Sequence, residues 1–204
     1  MLSPISSQHP EALESWLSEA GGLSYRADRV LQWVHKSGAS NWFEMTNVPD
    51  VLKNKLSVSY TFSSVRLVRK QGSFDTTLKF LWKLNDGQFV ESVLIPANPS
   101  LHGESSDRHT LCVSTQVGCA YGCKFCASGL EGFKRNLEPA EIIDQVLAVE
   151  RLRKDQIGQG KRLITNLVIM GMGEPMANYD NLLVALEILN ADWGSNIGAR
   201  KITI

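Results

Sequence analysis

The feature that most constrains this 204-residue chain is a run of eight residues that holds three of its four cysteines, Cys119, Cys123 and Cys126. Three thiolates leave one position of a four-ligand metal site to a group that is not a protein thiol. Thiolates select zinc or iron–sulfur clusters, and a 4Fe-4S cluster held by three cysteines exposes one iron to a ligand. The run therefore predicts a reactive metal centre.

The spacing of the run, three residues and then two, is the one that defines radical S-adenosylmethionine enzymes. In those enzymes the amine and the carboxylate of the cofactor chelate the open iron. The alternative is a closed zinc site, whose fourth ligand would be Cys112 or His109. Zinc ligands usually come as two separated pairs, whereas this sequence has a single cluster, so the spacing favours the iron–sulfur interpretation.

The composition is typical of a soluble globular domain, with 43% hydrophobic and 21% charged residues. The clustered cysteines do not suggest a disulfide framework, and the first residues lack the basic start and apolar stretch of a signal peptide. No apolar run reaches the roughly 18 residues of a membrane span. We therefore expect a cytoplasmic protein without membrane contact. The 21 basic and 21 acidic residues balance, so net charge alone does not indicate a nucleic-acid partner.

Hydrophobic patterning divides the chain into three regions, residues 1–56, 57–109 and 110–204. The first has apolar residues at helical spacing and predicts a small helical accessory domain, with its tryptophans and Phe43 in the core. The second predicts a short β region with a hairpin turn at residues 85–87. The third alternates strands and helices, as a parallel α/β fold does.

In the third region the apolar pattern predicts strands that end at loops with unusual composition. One strand leads into the cysteine run, and another leads into the glycine-rich segment 171–175. Because ligands bind beyond the carboxyl ends of parallel strands, this segment is a candidate binding site. The predicted strands cover residues 110–114, 163–170 and 201–204, and the predicted helices cover residues 137–154 and 181–189.

The β region carries a small excess of basic side chains, which the phosphates of a nucleic acid could use. A solvated hairpin edge protected by lysines explains the same pattern equally well. The basic residues are Arg66, Arg69, Lys70, Lys79 and Lys83, and the acidic residues are Asp75, Asp86 and Glu91.

Stretches along the whole chain resemble the RlmN branch of the RlmN/Cfr family, which are radical S-adenosylmethionine RNA methyltransferases. Each stretch is weak alone, but together and in this order they are specific. The resemblance implies an α/β fold, a partial (βα) barrel that is incomplete in this chain and is preceded by the helical domain and the β region. The matching stretches are residues 25–33, 43–46, 79–84, 86–87, 91–96, 110–119, 132–137 and 171–175.

The resemblance implies methylation of carbon 2 of an adenosine in 23S ribosomal RNA and, in many members, in transfer RNA. It also implies a 4Fe-4S cluster, S-adenosylmethionine, an electron donor such as flavodoxin or ferredoxin, and a monomer. Carbon 2 of adenine is not a nucleophile, so the family uses a methylated cysteine as the carrier of the methyl group. Three alternatives remain open: methylation of carbon 8, as in the Cfr branch, a zinc-stabilised RNA-binding module without catalysis, and a different radical enzyme that acts on a small molecule or a peptide.

Residue by residue, the resemblance gives the metal and cofactor positions. Cys119, Cys123 and Cys126 would hold the cluster. Gly173 and Glu174 would meet the amine of the cofactor, since glycine lets the backbone approach closely and a carboxylate pairs well with an ammonium group.

Two further positions match catalytic residues of the family. Glu91 matches the carboxylate that takes the proton from the ring, and Cys112 matches the cysteine that forms a transient disulfide with the carrier sulfur and so frees the product. Without the resemblance, Glu91 would pass as a surface residue and Cys112 as a small buried one. The carrier cysteine would lie beyond Ile204, so we expect the chain as given to be inactive alone. Residues 97–109 look longer than is usual in the family.

Overall fold

A computed structural model gives the structure of residues 2–21, 23–24, 26–73, 76–97, 108–152 and 162–204. The structure is mixed α/β, as the sequence predicts. Among these described residues, no helix combines the length and the apolar character needed to cross a lipid bilayer. The helices are α1 (Pro10–Glu19), α2 (Arg26–His35), α3 (Asp50–Ser59), α4 (Pro139–Arg151) and α5 (Tyr179–Asn190).

The six-stranded sheet joins the β region to the parallel strands. The strands are β1 (Ser3–Pro4), β2 (Tyr60–Thr61), β3 (Val65–Gly72), β4 (Leu78–Leu84), β5 (Phe89–Pro96), β6 (His109–Cys112), β7 (Gln116–Val117), β8 (Arg135–Asn136), β9 (Asn166–Val168) and β10 (Ile202–Thr203). Six of them form the order β10-β9-β6-β5-β4-β3. Strands β3 to β6 pair antiparallel, whereas β6, β9 and β10 pair parallel. The sheet therefore changes from antiparallel to parallel at β6.

The helical region buries the apolar residues that its periodicity singles out. Leu13 and Leu17 of α1 and Val30 and Leu31 of α2 are fully buried. Leu13 and Leu17 are four positions apart, and the adjacent Val30 and Leu31 lie about 100° apart around α2, so each pair falls within one apolar side of its helix. The helical prediction for this region is confirmed.

The aromatic residues of this region differ in burial. Trp42 is buried, and Trp16 and Trp33 are partly buried against the core. Phe43 is 75% exposed, so the prediction of a core role for it is wrong. Trp42 and Phe43 are neighbours in the 3-10 turn Trp42–Glu44, where successive side chains point about 120° apart, so both cannot face the same core.

The two faces of the large sheet have different environments. On one face Ser92 of β5 is buried and its hydroxyl donates to Oε1 of Gln145 of α4 at 2.8 Å, so α4 covers this face. The other face is only partly buried, and it carries Glu91, Val93 and Cys112. The covered face also takes the buried residues Leu78, Phe80, Trp82, Leu84, Val90 and Leu94.

The predicted element bounds hold better for the helices than for the strands. The structure has α4 at Pro139–Arg151 where residues 137–154 were predicted, and residues 153–154 lie outside the described part of the chain. The strand predicted over residues 163–170 pairs only over Asn166–Val168. Hydrogen bonds to the preceding helix explain the difference, because the Glu150 carboxylate accepts the backbone N–H groups of the two residues at the start of the predicted strand, at 2.9 and 3.0 Å.

Candidate active site

Two loops that the sequence singles out start at the same edge of the sheet. β6 leads into the cysteine loop, residues 118–134, and β9 leads into the glycine-rich loop, residues 171–175. Since β6 and β9 are parallel neighbours, their carboxyl ends lie side by side. The two segments continue together beyond the ladder, where the Gly171 N–H donates to the Val113 carbonyl at 3.1 Å. Both loops therefore begin at one strand edge, as the strand pattern of the sequence predicts.

A narrow neck closes the cysteine loop. Strands β7 and β8 pair antiparallel at its base, and the Lys134 N–H donates to the Val117 carbonyl at 3.0 Å. Gly118 has a φ of +73°, and a Cβ at this position would lie 1.9 Å from the carbonyl oxygen of Gly132. Only glycine fits a backbone approach this close, so the neck depends on Gly118.

The three cysteines lie on this loop and are accessible. Cys119 and Cys126 are half-buried, Cys123 is exposed, and all three are free thiols, as is Cys112. In the parts of the chain that the structure describes, no three His, Cys, Asp or Glu side chains are grouped to hold a metal ion. The structure therefore brings the cysteines onto one loop without arranging their sulfurs as ligands, and it does not assemble the zinc alternative with Cys112 or His109.

Local hydrogen bonds shape the cysteine loop. The Tyr121 N–H donates to Sγ of Cys119 at 3.4 Å, and the Cys126 N–H donates to the Cys123 carbonyl at 3.0 Å in a turn. Hydrogen bonds from the hydroxyl and the backbone of Ser128 hold the pKa of the Cys126 thiol below its usual value. The loop thus favours the thiolate form at Cys126, which is the form that ligates metals.

The glycine-rich loop packs against the chain that leaves β6. A Cβ on Gly171 would lie 2.7 Å from Oγ of Ser114, and a Cβ on Gly173 would lie 2.5 Å from Cβ of Gln116. Gly173 also has a φ of +99°, which disfavours any other residue. Both glycines are needed for this close approach, so Gly173 has a structural role beside the predicted cofactor contact.

Glu174 follows directly at the start of a 3-10 turn. Its side chain caps this turn by accepting the Met176 N–H at 3.5 Å, and its own backbone N–H donates to Oε1 of Gln116 at 2.9 Å. The residue is partly exposed. The backbone of Glu174 is therefore held in place while its carboxylate remains accessible at the sheet edge.

Glu91 lies on the partly buried face of the sheet and has a charged neighbour there. Its Oε1 is 2.9 Å from Nζ of Lys79 on β4, and the two side chains are 38% and 43% exposed. This exposure leaves the pair in contact with water, where an ion pair contributes about 0–1 kcal/mol. Lys79, which the sequence marked only as part of a basic excess, is thus the partner of the predicted catalytic carboxylate.

Cys112 is on the same face, diagonal to Glu91. It pairs in register with Val93, two residues beyond Glu91 on β5. Diagonal neighbours of this kind lie about 7–8 Å apart between backbones. Burial raises the pKa of the Cys112 thiol, although a hydrogen bond from the Met170 backbone opposes part of the shift. The structure therefore brings the two predicted catalytic residues into one neighbourhood.

Ser114 is a site residue that the sequence did not reveal. Its hydroxyl donates to the Glu91 carbonyl at 2.6 Å and accepts the Met172 N–H at 2.8 Å. One buried hydroxyl thus ties the strand of the predicted base to the glycine-rich loop. Ser114 falls within a stretch that resembles the RlmN branch, but nothing in the residue type alone indicates this bridging role.

Arg135 is a second residue that sequence reasoning missed. From the base of the cysteine loop, its guanidinium binds both carboxylate oxygens of Glu141 in α4 at 2.7 and 2.8 Å, and Asp86 in the β4–β5 turn at 2.7 Å. The hydrogen bond from Arg135 holds the pKa of Asp86 below its usual value. Arg135 therefore links the hairpin turn, the loop neck and the amino-terminal end of α4.

Structural comparison defines the class of the protein. The fold matches a solved radical SAM methyltransferase from Sphaerobacter thermophilus with a TM-score of 0.86 and 36% sequence identity. The match covers 99% of this chain and 56% of that chain. The chain thus has the fold of a radical SAM methyltransferase over the part that it spans.

Sequence comparison narrows the class to one family. A family model for the N-terminal domain of ribosomal RNA large subunit methyltransferase matches residues 6–61. The probable dual-specificity RNA methyltransferase RlmN of Akkermansia muciniphila is 50% identical over 200 residues, which are 98% of this chain and 54% of that protein. The dual-specificity RNA methyltransferase RlmN of Anaeromyxobacter dehalogenans is 45% identical over 95% of this chain and 50% of that protein.

Over nearly all of its length the chain is similar to proteins of the RlmN family, as its motifs predicted. It spans about half the length of the curated relatives that it matches.

Proposed function

We propose that the protein is a radical S-adenosylmethionine methyltransferase that methylates carbon 2 of an adenosine in 23S ribosomal RNA and in transfer RNA. The supporting observation is the meeting of the cysteine loop and the glycine-rich loop at one edge of the parallel strands, beside the face that carries Glu91 and Cys112. The names of the relatives, which are RNA methyltransferases, support the substrate class. The parallel strands β6, β9 and β10 would begin a partial barrel, and the protein would act as a monomer with flavodoxin or ferredoxin as electron donor.

The donor set fits a 4Fe-4S cluster. Cys119, Cys123 and Cys126 are free thiols on one accessible loop, and three thiolates are the number that leaves one iron open. When bound, the cluster would supply one electron to S-adenosylmethionine. Glu174 would pair with the amine of this cofactor, because its carboxylate is accessible and its backbone is fixed next to the cysteine loop.

Glu91 and Cys112 would act after the cofactor step. Glu91 would take the ring proton, and the contact with Lys79 would orient its carboxylate on this face of the sheet. Cys112, after giving up its proton, would attack the carrier sulfur: a disulfide would form, the bond from that sulfur to the carbon attached to adenine would break, and this carbon would keep the electron pair and take up a proton as the methyl group. Burial raises the pKa of the Cys112 thiol, so this step calls for a base. Their common face would let one bound adenine reach both side chains.

The first test concerns the metal. The intact protein, reconstituted anaerobically with iron and sulfide, should show a 4Fe-4S electron paramagnetic resonance signal after reduction, and the signal should disappear in Cys123→Ser. Stoichiometric zinc without a cluster signal would reject the proposal in favour of a zinc-stabilised RNA-binding module.

The second test concerns the chemistry. Glu91→Ala and Cys112→Ala in the intact protein should keep the cluster signal and the cleavage of S-adenosylmethionine but lose turnover, and Cys112→Ala should accumulate RNA bound covalently to protein. Mass spectrometry of nucleosides from ribosomal and transfer RNA would identify the product. Adenosine methylated at carbon 8 would reject the proposed position, and loss of the cluster in either variant would reject the proposed roles.

A further inference from the structure

The side chain of Gln116 connects the two loops of the candidate site directly. It is fully buried just before the neck of the cysteine loop. Its Oε1 accepts the Ala120 N–H of the cysteine loop at 3.1 Å and the Glu174 N–H of the glycine-rich loop at 2.9 Å. One carbonyl oxygen therefore holds a backbone group on each side of the site.

The other polar group of Gln116 is also bound. Nε2 donates to Oδ1 of Asn136 on β8 at 2.8 Å, and the Asn136 amide in turn donates to the Ala177 carbonyl at 3.2 Å. The Gln116 side chain thus has one defined orientation, since reversing its amide would place Nε2 against two N–H donors. The absence of a side chain on Gly173 provides the space in which this arrangement fits.

We propose that Gln116 is a positioning residue that sets the spacing between the cysteine loop and Glu174. Building on the proposed function, the spacing decides whether S-adenosylmethionine can bind Glu174 and the open iron at once. Ala120 directly follows Cys119, so a shift of its amide moves the first predicted ligand. Gln116 is fully buried and holds backbone groups of both loops, so it would act on the cofactors only through those loops.

The chain offers a matched control in Gln145. This glutamine is also fully buried, and its Oε1 accepts the Ser114 N–H at 3.0 Å and the Ser92 hydroxyl at 2.8 Å. Its Nε2 donates to the carbonyls of Ser114 and Glu141, both at 3.0 Å. The Gln145 side chain therefore makes four hydrogen bonds where that of Gln116 makes three, but it touches neither loop.

The first readout needs no cofactor. Hydrogen exchange of the metal-free intact protein reports on the amides of Ala120 and Glu174, which should exchange faster in Gln116→Met than in the wild type. Methionine matches the shape of glutamine but offers no good acceptor for these amides. Gln116→Glu keeps an acceptor oxygen and should retain protection at both amides, whereas Gln145→Met should leave them unchanged. Unchanged exchange in Gln116→Met would overturn the inference.

The second readout is the dissociation constant of S-adenosylmethionine, measured by equilibrium dialysis without reductant on the cluster-loaded protein. In Gln116→Met we expect unchanged iron content and roughly 10- to 100-fold weaker binding, which is the range for residues that support a metal site from behind. Gln116→Glu should recover most of the affinity. Gln145→Met should bind S-adenosylmethionine as the wild type does, even if its thermal unfolding temperature falls by as much as that of Gln116→Met.

These arms separate the inference from the proposed function. A wild-type protein that takes up cluster and cofactor, with Gln116→Met binding as Gln145→Met does, would overturn the role of Gln116 alone. A wild-type protein that binds no cluster would reject the proposed function and, with it, the cofactor part of the inference, while the exchange of the two amides would still decide whether Gln116 couples the loops.

Discussion

Acid should destabilise this protein through His35, the last residue of α2. The imidazole is 4% exposed and lies edge-on to Trp193, with 6.2 Å between ring centroids. Burial, together with the charges of Arg151, Arg162 and Lys36, lowers the pKa of His35 to about 3. The folded protein therefore holds this histidine neutral over a pH range in which the unfolded chain protonates it.

The magnitude follows from the difference between the two pKa values. An unfolded histidine has a pKa of about 6.5, so the contribution is complete above that pH and is lost as the pH falls toward the folded value. At about pH 5 the loss is roughly 1.5 pH units times 1.36 kcal/mol, or about 2 kcal/mol. Asp144 changes in the opposite sense, because burial raises its pKa and its contribution is lost as the pH rises. Asp144 is present in the wild type and in the histidine variants, so its effect cancels when their losses of unfolding free energy are compared.

The assay is urea unfolding followed by tryptophan fluorescence at about pH 8 and about pH 5. Between these conditions, the wild type should lose about 2 kcal/mol more unfolding free energy than His35→Leu does. His9→Leu removes an imidazole that lies tilted against the Trp193 ring, with 5.5 Å between ring centroids, and is the matched control. An equal loss in wild type and His35→Leu would refute the assignment of acid sensitivity to His35.

Three more predictions concern other parts of the structure. Arg135→Met leaves the buried Glu141 carboxylate without its bidentate partner and should cost about 3 kcal/mol in urea unfolding, whereas Asp86→Asn, at a more exposed contact, should cost about 1 kcal/mol or less. Gly118→Ala places a Cβ 1.9 Å from a backbone carbonyl and should open the neck, which faster tryptic cleavage within the cysteine loop would report. Cys112 should alkylate with iodoacetamide at a higher pH in the folded than in the urea-unfolded protein, as mass spectrometry can measure, because burial raises its pKa.

Each of these has a clear contrary result. Equal losses in Arg135→Met and Asp86→Asn would show that Glu141 does not depend on the arginine. Unchanged proteolysis of Gly118→Ala would show that the neck adapts to a side chain. A Cys112 alkylation profile that does not move on unfolding would show that water reaches the thiol.

The sequence predicts α4 well because the helix carries its own boundary signals. Pro139 occupies the first turn, and Glu138 and Glu141 form a capping box that fixes the start. The strand over residues 163–170 lacks such signals, and its apolar character does not reveal how far the ladder extends. Its pairing is limited by Glu150, a residue of a preceding helix, and a contact of this kind cannot be seen in a local pattern.

The candidate site shows the same limit. The cysteine run and the glycine-rich loop were predictable from residue type and spacing, and the strand-edge rule placed both loops correctly. The residues that hold the loops together could not be predicted in this way. Gln116 forms a hydrogen bond with Glu174, 58 positions away, and Ser114 forms one with Met172 at the same separation. Phe43 was misplaced because a short 3-10 turn does not follow helical periodicity.

Strand β6 pairs antiparallel with β5 and parallel with β9, and this double pairing limits how Cys112 can move. A slip of one residue against β5 would turn Cys112 to the opposite face and would at the same time break its match with Val168 on β9. Strand β6 can therefore slip only if its pairing with β5 and its pairing with β9 both break. Under the proposed function, the thiol that would meet the carrier sulfur is therefore held on a strand that cannot slip, and the carrier sulfur would have to make the approach.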